Sequence, residues 1–156
     1  MKHIRGTMAL IVALAILLGG CSGGGGAEGS PEAAAYLESR GYQNVRQEGR
    51  VVRYVINGRL LSKSPTMEQW GLQDVDPSAY FGQTIAIERY VATGSPVGEG
   101  EVSVSVFMSG DKPIGGFVNV PGGDEVGYSL DGKTLEEVSG KPYEAWKQDW
   151  LAKYGG

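Results

Sequence analysis

The chain has 156 residues, with 14 basic against 18 acidic side chains, a formal net charge of −4 and 41% hydrophobic residues, which is the material of one globular domain. It carries one cysteine, Cys21, and one histidine, His3, so an intramolecular disulfide and a zinc site of the His/Cys type are excluded. No nucleic-acid partner, metal or cofactor is expected of this composition.

The chain opens on the basic stretch Met1-Lys2-His3-Ile4-Arg5, followed by an unbroken apolar run from Met8 to Leu18 that is too short to span a bilayer comfortably. That order reads as a secretory signal. The next residues, Leu18-Gly19-Gly20-Cys21, resemble the lipobox of bacterial lipoproteins. The resemblance implies that Cys21 receives a diacylglyceryl thioether and that the chain is cut between Gly20 and Cys21, removing residues 1–20. A thiol suits this step because sulfur is the nucleophile that accepts the lipid, and an unpaired cysteine in an exported chain otherwise lacks a use. One acyl chain binds membranes only marginally, whereas two anchor stably. The expected location is therefore the cell membrane, facing outside the cytoplasm, with the membrane itself as a partner through Cys21.

From Ser22 to Gly29 there is no apolar side chain larger than Ala, so residues 21–29 are expected to form a flexible tether with an r.m.s. span of about 15 Å. Trimming leaves twelve basic against eighteen acidic residues, a net −6, and removes His3. The remaining domain, 30–156, then has no Ser-His-Asp or Cys-His nucleophile system and no histidine switch. Carboxylate chemistry, Ser-Lys pairs and oxygen-liganded metals stay open.

Within the domain, Ser30-Pro31 starts a helix over 32–40, with Ser30 as N-cap, Pro31 at the first helical position and Gly41 as its left-handed end. Ala33, Tyr36 and Leu37 form its packing face. From Val45 the period becomes two, placing Val52, Tyr54 and Ile56 on one face, and Asn57-Gly58 predicts a hairpin with Arg59 to Ser62 as the returning strand. Ser64-Pro65-Thr66 starts a short helix carrying Met67 and Trp70, and Asp76-Pro77 opens a turn. Strands follow over 84–92 and 101–109, each alternating as a strand with one buried face, joined by the long loop 94–100. Further strands are expected over 114–120 and 125–130. Thr134 and Glu137 fit a capping box, and Tyr143, Trp146, Trp150, Leu151 and Tyr154 fall at helical spacing as a core stripe. The fold class is α+β: an N-terminal helix, an antiparallel sheet of five or six strands, and a C-terminal helix packed on the sheet.

Four features bear on function. Between positions 40 and 63 lie Arg40, Arg46, Arg50, Arg53, Arg59 and Lys63 against Glu48 alone. The hairpin bearing Arg46, Arg50, Arg53, Arg59 and Lys63 is either an ordinarily solvated face or a contact for anionic headgroups or wall polymers, each charge near the surface contributing about 1 kcal/mol. Gly115-Gly116 inside a strand marks a bulge against the terminal helix, or a groove where a peptide or glycan approaches the backbone. The acid neighbours Asp74 and Asp76, Asp124 and Glu125, Glu136 and Glu137 generally point apart, whereas a glycosidase needs two carboxyls about 5 to 10 Å apart across a cleft. Asp74-Val75-Asp76 offers two oxygen ligands but not the acid-dense loop of an EF-hand. Trp70, Tyr80 and Phe81 lie near turns and read as core under the sheet, or as a recognition surface.

Gly115-Gly116 after a strand, Tyr128 to Val138 and Tyr143-Glu144-Ala145-Trp146 are together similar to the C-terminal half of small uncharacterised lipoproteins of Gram-positive bacteria. That resemblance implies the outer face of a single cytoplasmic membrane and carries over no catalytic residue. The expected function is a lipid-anchored binding or structural domain at the cell envelope, recognising a protein, peptide or envelope polymer. The rival is a wall-associated hydrolase using paired carboxylates.

Overall fold

The computed structural model describes residues 29–155; the expected signal peptide, the Gly20-Cys21 cleavage and lipidation site and positions 22–28 of the tether lie outside the described residues. Helix α1 (Pro31–Ser39) begins as its sequence dictates: the Ser30 side chain accepts from the Ala33 N–H, Pro31 fills the first turn, and Gly41 takes φ +93 beyond the end. It buries Ala33 and Leu37 against the sheet.

The sheet has six strands, all antiparallel: β1 (Gln43–Gln47), β2 (Val52–Val55), β3 (Thr84–Thr93), β4 (Val102–Ser109), β5 (Lys112–Asn119) and β6 (Tyr128–Ser129), in the order β1-β3-β4-β5-β6 with β2 also on β3. The register shows that β1 and β2 form one interrupted edge strand. Gln47 lies opposite Tyr90 and Val52 opposite Ile87, so residues 48–51 bulge past Glu88 and Arg89.

The expected hairpin at Asn57-Gly58 is absent. Asn57 is extended (φ −159, ψ 167), and its side chain accepts from the Leu60 N–H at 3.0 Å, capping helix α2 (Gly58–Leu61). Residues Arg59 to Ser62 are therefore not a returning strand. Asn serves a helix N-cap as readily as a tight turn, and β2 finds its partner in β3 rather than in its own neighbour.

The expectation of one buried face per strand is also corrected. On one side of the sheet, α1 covers Tyr90, Ala92, Val102, Val104, Val106, Met108 and Val118. On the other, Ile85, Phe107, Ile114 and Phe117 meet Ile56, Leu61, Met67, Trp70 and the C-terminal aromatics. Both faces are covered, so Val104 to Met108 is a continuous buried run and the deepest side chains of β3 change parity from Ile85 to Tyr90. The strand expected over 125–130 shrinks to Tyr128–Ser129, because Asp124 and Gly127 close a turn in front of it.

The second layer comprises α2, α3 (Thr66–Gly71), a single 3-10 turn (Pro77–Tyr80), α4 (Leu135–Ser139) and α5 (Tyr143–Tyr154). The Thr134–Glu137 capping box of α4 is formed. Trp146, Trp150 and Tyr154, four residues apart, are buried, whereas Leu151 lies off that stripe and is exposed. Trp150 Nε1 donates to the Leu61 carbonyl (2.8 Å) and the Tyr154 hydroxyl to Asp76 (3.0 Å), which seats α5 on the helical layer beneath it. Trp70 is core: its ring centroid is 4.9 Å from that of Phe107, and Nε1 donates to the Tyr54 hydroxyl. Tyr80 is half-buried and Phe81 exposed.

Candidate functional site

β5 is paired with β4 along most of its length, but β6 covers only Phe117 and Val118. Among the described residues, Lys112 to Gly116 have no strand on their outer side. The ladder to β4 slips here, with Phe107 opposite Gly115 and Met108 opposite Pro113, so the expected bulge is present. It is not set against the terminal helix. Gln73, in the loop after α3, reaches across: its Oε1 accepts from the Gly116 N–H at 2.7 Å and its Nε2 donates to the Gln69 carbonyl at 2.6 Å.

The two glycines answer two different close approaches, Gly115 to the Gln73 side chain and Gly116 to the β4 backbone. Gly115 has φ +154, and a Cβ there would stand 2.2 Å from Gln73 Oε1; a Cβ on Gly116 would stand 2.3 Å from the Ser105 carbonyl oxygen. A cavity of about 320 Å³ opens beside this stretch, floored by Ile114, Leu72, Val75 and Leu130. Its rim alternates in charge. Arg40 pairs with Asp131 at 3.1 Å and Glu137 is tied to Thr134, while Lys112, Lys133 and Asp74 make no ion pair among the described residues. A second cleft runs along α5 past Trp146, Trp150 and Lys141, and Gln73 and Val138 line both.

The three acid pairs do not face a common cleft. Asp74 lines the groove, but Asp76 turns to the Ser78 hydroxyl, the Lys153 ammonium, the Ser78 N–H and the Tyr154 hydroxyl, hydrogen bonds that hold its carboxyl well below the usual range. Asp124 closes the turn at Gly127. Glu136 accepts from the Tyr143 N–H, and Glu137 is lowered by its bonds to Thr134. Among the described residues no three His, Cys, Asp or Glu side chains gather as a metal site.

The basic residues are spread along the outer edge rather than on a hairpin. Arg46 on β1 pairs with Glu101, while Arg50, Arg53, Arg59 and Lys63 are exposed and make no ion pair among the described residues.

Two buried acids are not evident from sequence pattern. Glu88, 6% exposed, accepts from the Ser30 N–H (2.7 Å), the Ser30 hydroxyl (3.1 Å) and the Tyr90 hydroxyl (2.7 Å) through one oxygen. Burial and then Glu88 hold the Tyr90 phenol above its ordinary range. Glu68, 2% exposed, accepts from the Tyr143 hydroxyl at 2.7 Å, and its second oxygen has no partner. An acid inside an otherwise apolar helix face is the only sequence signal for Glu68, between Met67 and Trp70.

No protein-family model matches this chain, and no curated protein or solved structure matches it either.

Proposed function

We propose that this protein is a non-enzymatic, lipid-anchored domain on the outer face of the cell membrane, and that the groove beside Lys112 to Gly116 binds an extended segment of an envelope protein or peptide. The observation that carries the reading is the stretch Lys112 to Gly115 of β5, which has no strand on its outer side among the described residues and lies next to a cavity of about 320 Å³, with Gln73 already occupying the Gly116 N–H. Extended peptides bind by adding to such an edge, backbone to backbone, with side chains entering the adjacent pocket. The anchor rests on Leu18-Gly19-Gly20-Cys21.

The carboxylates favour binding over glycoside hydrolysis. A hydrolase needs a general acid with a raised pKa facing a second carboxyl. Of the groove acids, Glu137 is shifted the other way and Asp131 is neutralised by Arg40.

Photo-crosslinking residues placed at Lys112 and Val75 in living cells should yield a discrete adduct, and one at Gln148 on α5 should not. Equal adducts at all three, or none at the groove positions, would remove the groove from consideration. For the anchor, Cys21→Ser should abolish palmitate labelling and leave the precursor uncut; undiminished labelling would refute it.

A further inference from the structure

We infer that the edge built by β2 and α2 rests on an anionic lipid surface, with Arg50, Arg53, Arg59 and Lys63 against the headgroups and Val52 and Val55 at headgroup depth. This rests on the proposed anchor and adds an orientation to it.

Three observations converge on that edge. The first is charge. In a domain with an acidic excess, four cations on one edge stay without an acidic partner among the described residues, whereas Arg40 and Arg46 nearby are each neutralised. The second is apolar exposure. Val52 and Val55 are 57% and 50% exposed, the largest values among the exposed large hydrophobics, and they interleave with Arg50 and Arg53 in sequence. By strand alternation Val52, opposite Ile87, lies on the face where α2 packs, and Val55, opposite Thr84, on the other, so the edge presents basic and exposed aliphatic side chains on both flanks. An edge of that kind suits an anionic membrane interface met edge-on, where charge attracts and aliphatic side chains enter the headgroup layer.

The third is where the chain enters the fold. Ser30 is fixed to Glu88 by two hydrogen bonds, and Gly29 lies so close that an added Cβ would meet Tyr90 Oη at 2.4 Å and Gln47 Cγ at 3.0 Å. Gln47 is the last residue of β1, and the 48–51 bulge carrying Arg50 lies opposite Glu88 and Arg89. Arg53 pairs with Ala86 and Val55 with Thr84, which by strand alternation puts them on the sheet face that carries Glu88. Only seven residues separate Cys21 from Gly29, so the lipid lies at most ~29 Å from this entry point. The basic edge is therefore within the tether's reach of the bilayer, on the side of the sheet where the chain enters. β6 and the groove lie across the sheet, four strand spacings or about 19 Å further out.

The test uses the lipidated full-length protein in vesicles of phosphatidylcholine, alone or mixed with phosphatidylglycerol, carrying headgroup-linked nitroxide. With Cys21 blocked as a thioether, a single introduced thiol at Val55→Cys or Gln148→Cys takes a fluorophore uniquely. Quenching should be several-fold stronger at position 55 than at 148, should require phosphatidylglycerol, and should fall in high salt. Reversal of Arg50, Arg53 and Arg59 to Glu should abolish that difference while flotation with vesicles in high salt persists. Equal quenching at both positions, or quenching indifferent to phosphatidylglycerol, overturns the orientation. Loss of flotation in high salt tells against the Cys21 anchor instead. The edge then stands if the protein still floats with phosphatidylglycerol vesicles at low salt and falls if it does not.

Discussion

Gly71 ends α3 directly under α5, and an added Cβ would meet the Trp146 ring at 2.4 Å and Leu135 at 2.8 Å. Gly71→Ala should therefore destabilise the domain by about 1–3 kcal/mol through overpacking, read as a lowered urea midpoint at unchanged slope. Glu68 poses the opposite case. Only one of its two buried oxygens has a partner, so Glu68→Met, an apolar side chain of similar length that leaves no unpaired polar atom at this position while the partly buried Tyr143 hydroxyl turns to water, should raise stability by about 1 kcal/mol. A loss of that size would show that Glu68 is satisfied in a way its geometry does not display. Burial holds the phenols of Tyr42 and Tyr54 up to about 12, and the bond to Glu68 does the same for Tyr143. These groups favour the neutral form in the fold, so their contribution is complete below pH about 10 and is lost as pH rises from about 10 to 12. Thermal midpoints measured across the alkaline range should hold steady and then fall in that window.

Helix α5 shows how one polar residue positions an apolar element. Asp76 caps the 3-10 turn through Ser78 and also receives the Tyr154 hydroxyl and the Lys153 ammonium, at 3.0 and 2.9 Å. Its depressed pKa means that the folded state holds the carboxylate more strongly than the unfolded chain does. The stabilisation is complete above the ordinary carboxylate pKa and disappears as pH falls below about 4. Because the side chain is 48% exposed, solvent screening limits the expected loss in Asp76→Asn to about 1 kcal/mol at neutral pH. Wild-type and variant midpoints should converge in acid; a gap that persists at the lowest pH would assign the effect to packing. Elements governed by local rules are legible in the sequence alone: the Ser30 cap, the Thr134–Glu137 box and the α5 stripe each use contacts within a few residues. Asn57-Gly58 misleads because the same side chain that tolerates a tight turn also caps a helix, and only the distant strand β3 decides between them.

For the whole molecule, β3 and β4 are the strands paired on both sides along most of their length, and both faces of that centre are covered. Hydrogen exchange should be slowest there and fastest in β2 and β6; fast exchange in β4 would contradict a two-faced core. The class of fold is readable from strand alternation and helix signals, but the groove is not. Gly115-Gly116 announces a close approach without naming Gln73, forty-three residues earlier, as the group that makes it. Glu88 alternates as an outward position on its strand, and it becomes interior only because α1 covers that side and brings Ser30 to it.

The Ser30–Glu88 contact also decides how the domain meets a mechanical load. A pull arriving through Gly29 is passed by Glu88 to β3, which is hydrogen-bonded to strands on both sides. Had the chain entered through β6, the same pull would peel a two-residue strand away one bond at a time. Under the proposed anchor and groove, drag on a bound partner would be borne by the strand that is paired on both sides.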